Sequence, residues 1–267
     1  MLIGARAAVT VDIVEIDLLC AVADVAPPFP LRVPATGGNV RERRRVLRAA
    51  GERLAARGLA DERGPLGVAE AFTHLLRRGG LTMDLVLSTG DDVLGAVLLA
   101  DRGVAVLTTQ ELTGAGAVCM AELSLDDAVD QLIDLVPVRE AALTAPFQLP
   151  RGALDQVHAA LRARAGRPLA QQEWEALLAD AGIDDRLGRR LITHLQPVRG
   201  NGQLGLAVRG GYADQWQREG AELRWLDTER GRFQLVDADD GAWMSVNPLH
   251  ANEFAASIRR MAAVLPN

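Results

Sequence analysis

The chain has 267 residues, of which 49% are hydrophobic and 24% are charged, and its net charge at pH 7 is −6. This acidic balance argues against a general affinity for nucleic acid, because such affinity depends mainly on neutralising phosphates. No apolar run approaches the roughly 20 residues that a transmembrane helix needs, and the N-terminus lacks the pattern of a signal peptide. The composition therefore predicts a cytoplasmic protein without membrane insertion.

In the first half of the chain, a short strand predicted at 7–11 precedes a series of helices. Apolar residues at helical spacing predict three of them, at 13–23, 40–57 and 67–78. The proline-rich segment 26–38 is predicted to be a loop. Gly58 is expected to end the second helix in a left-handed conformation, and Leu59 to supply the hydrophobic contact that accompanies such a cap.

The apolar pattern then changes to a period of two, which is typical of strands. Four consecutive strands are predicted, at 81–88, 93–100, 104–109 and 117–123. The connections Thr89–Asp92 and Asp101–Gly103 contain the Gly and Asp residues that hairpin turns favour. A helix introduced by Ser124, with Asp127 as its capping-box acid, follows the strands and is ended by Pro137.

The second half repeats this order after a predicted linker at 138–150. Its predicted elements are helices at 154–164, 170–180 and 184–195, strands at 203–209, 221–227, 231–237 and 242–246, and a closing helix at 250–264. We therefore predict an α+β fold with a central twisted antiparallel sheet flanked by helices and helical bundles. Two similar halves, 1–137 and 151–267, are expected to form a single domain, 1–267, with a pseudo-two-fold arrangement.

Patterns typical of catalysis or cofactor binding are weak in this sequence. The stretch 200–205 spells GxGxxG, but a dinucleotide fingerprint follows a strand and opens a helix. Here a predicted helix precedes the stretch and a predicted strand follows it, so we expect a turn. The four histidines have no partner at metal-ligand spacing, and the paired acids lie at predicted turns or helix starts. We predict a protein that is not an enzyme, with no catalytic residue, metal or cofactor.

A run of arginines is the one feature that favours nucleic acid. Five of them lie on the predicted second helix: Arg41, Arg43, Arg44, Arg45 and Arg48. A third helix and a hairpin follow, so the segment fits a winged helix. Glu42 and Glu52 lie in the same segment, however, and the rest of the chain lacks a basic field. A winged-helix regulator that binds nucleic acid through the arginine-rich helix 41–57 is therefore the alternative function.

The C-terminal strands and helix contain several short motifs. Gly231-Arg232-Phe233 is followed by an acidic turn, then by Gly241-Ala242-Trp243, then by Val246-Asn247-Pro248 and an amphipathic helix. This stretch resembles the closing segment of the EspG family of ESX, or type VII, secretion-associated proteins. Phe233 and Trp243 lie on adjacent predicted strands, and we expect both to bury large areas against the closing helix.

Two segments of the first half agree with this resemblance. The run 54–59, followed by Asp61 and Gly64, is similar to the helix-to-turn element of the family. The run 101–106 is similar to its small-residue hairpin. The resemblance therefore covers nearly the whole chain.

This resemblance implies a function. EspG proteins are cytosolic chaperones that bind secreted PE–PPE heterodimers at the tip of the PPE helical bundle. Such binding keeps the substrates soluble and directs them to their own secretion system. The resemblance thus implies PE–PPE-like helical proteins as partners, while homodimer formation and the particular secretion system stay open.

The resemblance also implies where the partner binds. In the family, the contact surface includes the loop between the second and third strands, one face of the central sheet and the second helical bundle. Carried over to this sequence, the loop residues are Thr89, Gly90, Asp91 and Asp92. In the bundle, apolar residues and arginines are the candidate anchors: Trp174, Leu177, Leu178, Arg186, Arg189 and Arg190.

Overall fold

The computed structural model describes residues 8–114, 116–152, 156, 170–195, 197–210, 215–238 and 241–265. These ranges contain seven helices: α1 (Ile13–Ala23), α2 (Val40–Ala56), α3 (Val68–Arg78), α4 (Leu125–Asp134), α5 (Gln171–Asp180), α6 (Asp185–Leu195) and α7 (Ala251–Ala262). The helix predicted at 154–164 lies, apart from Gln156, outside the described residues.

The same ranges contain twelve strands. In chain order they are β1 (Val9–Val11), β2 (Ala60–Asp61), β3 (Gly64–Pro65), β4 (Gly80–Thr89), β5 (Asp92–Asp101), β6 (Val104–Glu111), β7 (Val118–Leu123), β8 (Phe147–Pro150), β9 (Val198–Gly210), β10 (Gln215–Thr228), β11 (Gly231–Asp237) and β12 (Trp243–Pro248). The two short strands β2 and β3 pair with each other. The other strands form the central sheet.

Ten strands form one antiparallel sheet in the order β1-β7-β6-β5-β4-β9-β10-β11-β12-β8. The strands of the two halves follow the same pairing scheme. Each half contributes a four-strand meander, and an earlier strand pairs with the last strand of that meander, β1 with β7 and β8 with β12. The predicted α+β fold with a central antiparallel sheet is therefore confirmed. The β4–β5 hairpin, which a winged helix would use as its wing, is an internal part of this sheet.

Two stretches differ from the prediction. The expected linker at 138–150 contains β8, whose Phe147 and Leu149 are buried. The prediction of a turn at 200–205 is wrong, because this stretch lies inside β9. That strand begins at Val198, soon after α6 ends. Strand β8 alternates between buried and exposed residues, but it has only four residues and ends in proline, which is too short for this alternation to predict a strand.

The glycines of the stretch 200–205 make room for side chains of β10. A Cβ atom on Gly202 would lie 2.1 Å from the ring of Trp225. A Cβ atom on Gly205 would lie 2.6 Å from the guanidinium of Arg218. Glycine inside a strand commonly marks such a close crossing, so packing explains the pattern without a phosphate ligand.

The described residues divide into two compact units. Unit 1 comprises those within Met1–Pro137, Gln203–Glu222 and Ala255–Asn267, and unit 2 those within Val138–Gly202 and Leu223–Phe254. In unit 1, helices α1 and α3 pack on one face of the sheet through buried residues such as Ile16, Phe72 and Val97. Helix α2 adds the buried Leu54 to the same core, and Gly58 (φ 70°) ends this helix as predicted. These contacts remove apolar surface from water and stabilise the unit.

Unit 2 contains a buried ion pair on adjacent strands. The Arg232 side chain is about 2% exposed, and its Nε and Nη2 atoms donate to the two carboxylate oxygens of Asp227 at 2.7 and 2.8 Å. The guanidinium lies 4.8 Å from the ring centre of Phe254 and 5.7 Å from that of Trp225. Both the charge and the flat faces of this guanidinium therefore have partners inside the protein.

The backbone at Arg232 joins further segments of unit 2. Its N–H donates to the carbonyl of Glu140 at 2.8 Å, and its carbonyl accepts from the N–H groups of Ala142 and Leu249 at 3.3 and 3.0 Å. Gly231 has a φ of 125°, and a Cβ atom there would lie 2.6 Å from the backbone nitrogen of Ala142. The Gly-Arg motif is thus explained by a close backbone approach followed by a buried charge.

The expected burial of Trp243 is wrong. Phe233 is fully buried, but it packs with Phe147 and Leu178 in a core that includes no described residue of the closing helix. Trp243 is 43% exposed because it begins β12, on the opposite face from its buried neighbour Met244. The aromatic contact with the closing helix is made instead by Trp225, whose ring lies 5.0 Å from that of Phe254 in an edge-to-face arrangement. Period-two alternation alone did not identify which tryptophan faces inward.

Substitution of Arg232 by alanine is expected to lower the free energy of unfolding by about 3–5 kcal/mol, because Asp227 would remain buried without a counter-charge. The matched control is Arg199→Ala, which removes an exposed ion pair with Glu229. That variant should lose less than about 1 kcal/mol. Urea unfolding of both variants measures the difference, and equal losses would contradict the structural role of Arg232.

Alanine at Gly202 is expected to cost about 1–3 kcal/mol of unfolding free energy, because the rigid ring of Trp225 would have to move. Gly114→Ala serves as the control, because a Cβ atom there has no other described atom within 4 Å. Thermal unfolding in which Gly114→Ala is the more damaged variant would disprove this packing account.

Candidate partner-binding surface

The predicted loop at 89–92 is a tight hairpin turn between β4 and β5. Thr89 pairs with Asp92, and Gly90 and Asp91 form the exposed turn. Gly90 has a φ of 62° and Asp91 has no positive φ, a combination that fits a type II′ turn with glycine first. The hairpin connection is thereby confirmed, and its role in partner binding stays a prediction.

Helices α5 and α6 pack together in unit 2. Trp174 and Leu177 are half-buried and pack against the unit's core, whereas Leu178 is fully part of that core. A Cβ atom on Gly188 of α6 would lie 3.2 Å from Leu178, so this glycine permits the close approach of the two helices. Of the three apolar candidates, Trp174 and Leu177 therefore keep surface that a partner could contact.

The three candidate arginines of α6 differ in their surroundings. Arg186 and Arg189 are exposed, and within the part of the chain that the structure describes neither forms an ion pair. Arg190 is half-buried; it donates to the carbonyl of Ala145 at 2.9 Å and lies 4.6 Å from the ring centre of Phe147. Arg186 and Arg189 are therefore available for a partner, while Arg190 supports the fold of unit 2.

A polar cluster that the sequence reasoning missed lies on strands of unit 1. The Asp84 carboxylate, about 1% exposed, forms an ion pair with Arg218, whose Nε also lies 2.9 Å from Glu222. The guanidinium of Arg218 is 5.1 Å from the ring centre of Phe29, and this ring is 48% exposed. An aromatic ring and a guanidinium stacked at a surface are the residue types that interfaces favour.

Two features of the sequence are signals from which this cluster could have been predicted. Asp84 is a carboxylate in the middle of an otherwise apolar strand, so it needs a partner inside the fold. Phe29 is the one aromatic residue within the proline-rich loop 26–38. Burial raises the pKa of Asp84 to about 6, although the hydrogen bond and charge of Arg218 act to lower it.

Among the described residues, the His, Cys, Asp and Glu side chains form no group of three or more that could hold a metal ion. No helix in this part of the chain is long and apolar enough to cross a membrane.

The fold and these surfaces define an α+β protein suited to binding another protein. The chain belongs to the EspG family, whose family model matches residues 12–260. Its fold is similar to that of the Mycobacterium tuberculosis type VII secretion system chaperone EspG5, solved in complex with a PE25-PPE41 dimer. That match has a TM-score of 0.61 and 14% sequence identity, and it covers 97% of each chain. No curated protein matches the sequence.

The raised pKa of Asp84 has a consequence for stability. The folded-state value of about 6 lies above the ordinary value of 3.8, so the folded protein retains a proton that the unfolded chain releases. The resulting stabilisation is present near pH 4 and is lost as the pH rises to about 6. Between these pH values the free energy of unfolding of the wild type should fall, by roughly 3 kcal/mol at most, relative to that of Asp84→Asn.

Urea unfolding at several pH values measures this difference. Arg218→Gln provides a second comparison: loss of the cation should raise the pKa of Asp84 further and extend the decline above pH 6. Parallel pH profiles for the wild type and Asp84→Asn would show that Asp84 is not the group responsible.

Proposed function

We propose that this chain is a type VII secretion chaperone that binds PE–PPE-like helical proteins and keeps them soluble before export. Membership in the EspG family over residues 12–260 is the observation that carries the proposal. The fold similarity supports it, because the EspG5 structure contains a bound PE25-PPE41 dimer. We further propose that the chain acts in the cytoplasm and by non-covalent binding, without catalysis.

We propose two contact regions for the partner, each described by itself. One is the β4–β5 turn, with Thr89, Gly90, Asp91 and Asp92. The other is the α5–α6 pair, where the half-buried Trp174 and Leu177 offer apolar surface and the exposed Arg186 and Arg189 offer charges that have no ion-pair partner among the described residues. Tryptophan and arginine are enriched among residues that dominate interface energies. Leu178 and Arg190 contribute indirectly, by holding α5 and α6 in place.

Co-purification from the native host tests the function. The tagged full-length chain is expected to retain a secreted helical protein of the PE–PPE type in near-stoichiometric amount, identified by mass spectrometry. The same protein, expressed without the chain, is expected to be largely insoluble, because its apolar tip remains uncovered. If no such protein is retained, or if its solubility does not depend on the chain, the proposed function fails.

A double substitution of exposed arginines tests the α6 surface. Arg186→Glu with Arg189→Glu should weaken binding of the purified partner by about tenfold or more, since it reverses two charges in the contact region. Arg63→Glu with Arg102→Glu makes the same charge change at exposed arginines outside α6. Calorimetric titration compares the two variants after thermal unfolding has verified their stability. A similar loss of affinity in both would place the contact elsewhere.

A further inference from the structure

Four arginines on α2 point to solvent and lie on one side of the helix. We call them the arginine patch: Arg41, Arg44, Arg45 and Arg48. Their spacings of three and four residues place them next to one another on a helix of 3.6 residues per turn. Val40, which begins the helix and is 69% exposed, lies beside the patch.

The other arginines of this region have partners on or near α1. Arg43 forms an ion pair with Asp17 at 2.8 Å, and Arg53 forms one with Asp12 at 2.7 Å. Arg57, directly after α2, lies 3.2 Å from Glu15. By contrast, no member of the arginine patch forms a hydrogen bond or ion pair through its side chain within the described ranges. Among the described residues, one set of these arginines therefore has partners in the fold and the other set has none.

The arginine patch is unfavourable for the isolated helix. Like charges three or four residues apart on a helix repel each other. Arg41 and Arg44 also lie near the N-terminus of α2, where the helix dipole disfavours cations. Glu42, three residues from Arg45, and Glu52, four residues from Arg48, offset only part of the repulsion among four cations. A local conflict of this kind that stays partly uncompensated is expected at functional sites.

We propose that the arginine patch binds a carboxylate-rich segment of a second protein. Guanidinium groups form paired hydrogen bonds with carboxylates, which makes arginine suited to such contacts. The patch spans seven residue steps, or about 10 Å of helix, a length that one peptide segment covers. The exposed Val40 adds an apolar contact that a protein side chain can fill.

A nucleic acid fits this surface less well than an acidic peptide does. Single DNA-binding modules bury about 600–1,000 Å² and extend their positive charge along the phosphates. Here Glu52 lies one turn beyond Arg48 on the same face of α2 and is exposed, so a phosphate track would meet a negative charge. The net charge of −6 further weakens long-range attraction of a polyanion. This inference does not depend on the proposed chaperone function.

Fluorescence anisotropy with the full-length chain tests the proposal. The probe is a labelled peptide of repeated Glu-Glu-Leu units, titrated at low and at physiological salt. The patch variant changes the four patch arginines to glutamine and should bind the peptide about tenfold more weakly or worse. The control variant makes the same charge change at exposed arginines outside α2: Arg63, Arg102, Arg139 and Arg230. The control variant should retain most of the wild-type affinity.

Thermal unfolding provides an independent readout. The melting temperature of the patch variant should equal or exceed that of the wild type, because repulsion within α2 is relieved. A clearly lower melting temperature would mean that the arginines stabilise the fold, and it would overturn the proposal.

Equal peptide binding by the wild type and both variants would also overturn it. So would tighter, patch-dependent binding of duplex DNA, single-stranded RNA or phosphatidylserine vesicles in the same assay. A wild-type dimer that the patch variant fails to form in sedimentation would assign the patch to a second copy of the chain and would likewise refute the proposal.

Discussion

The buried guanidinium of Arg232 is the interaction on which unit 2 depends most. A charge removed from water must receive its hydrogen bonds and its counter-charge from the fold. Asp227, its direct cross-strand partner, supplies both, and this fixes the register of β10 against β11. A slip of one residue would turn Arg232 to the other face of the sheet and leave Asp227 buried alone. The pair therefore selects one register, whatever its net contribution to stability.

The ion pair of Asp84 and Arg218 in unit 1 is less complete. Asp84 is as deeply buried as Arg232, but its Oδ1 atom lacks a hydrogen-bond partner among the described residues, and Arg218 is 37% exposed. This arrangement leaves the carboxyl group partly unsatisfied, which agrees with its raised pKa. The pair of Asp227 and Arg232, whose hydrogen bonds are complete, has a structural role. The incomplete one lies close to the exposed ring of Phe29, and its guanidinium keeps contact with solvent.

Much of the fold could be predicted because local chemistry determines it. The meander follows from a period of two, and the helix boundaries at Gly58 and Ser124 follow from capping. The incorrect predictions concern residues whose structure depends on segments distant in the sequence. Phe147 begins a strand because β12 pairs with it, and Trp243 faces solvent because the pleat of β12 turns Met244 and Val246 inward. In the candidate site, exposure of the turn and of two arginines was predictable, but burial of Leu178 depends on how α6 packs.

Arginine is the only strongly basic residue type in this lysine-free chain. The role of each arginine depends on how deeply its side chain is buried. A buried pair such as Asp227–Arg232 is costly to break, because one partner would remain as an uncompensated charge. An exposed guanidinium gains little from any single carboxylate, so its contacts form and dissociate readily. A chaperone that must release its partner needs contacts of the second kind, together with limited apolar area. Arg186 and Arg189, exposed on α6, and the half-buried Trp174 on α5 are residues of that second kind, whereas Asp227 and Arg232 hold the scaffold of unit 2.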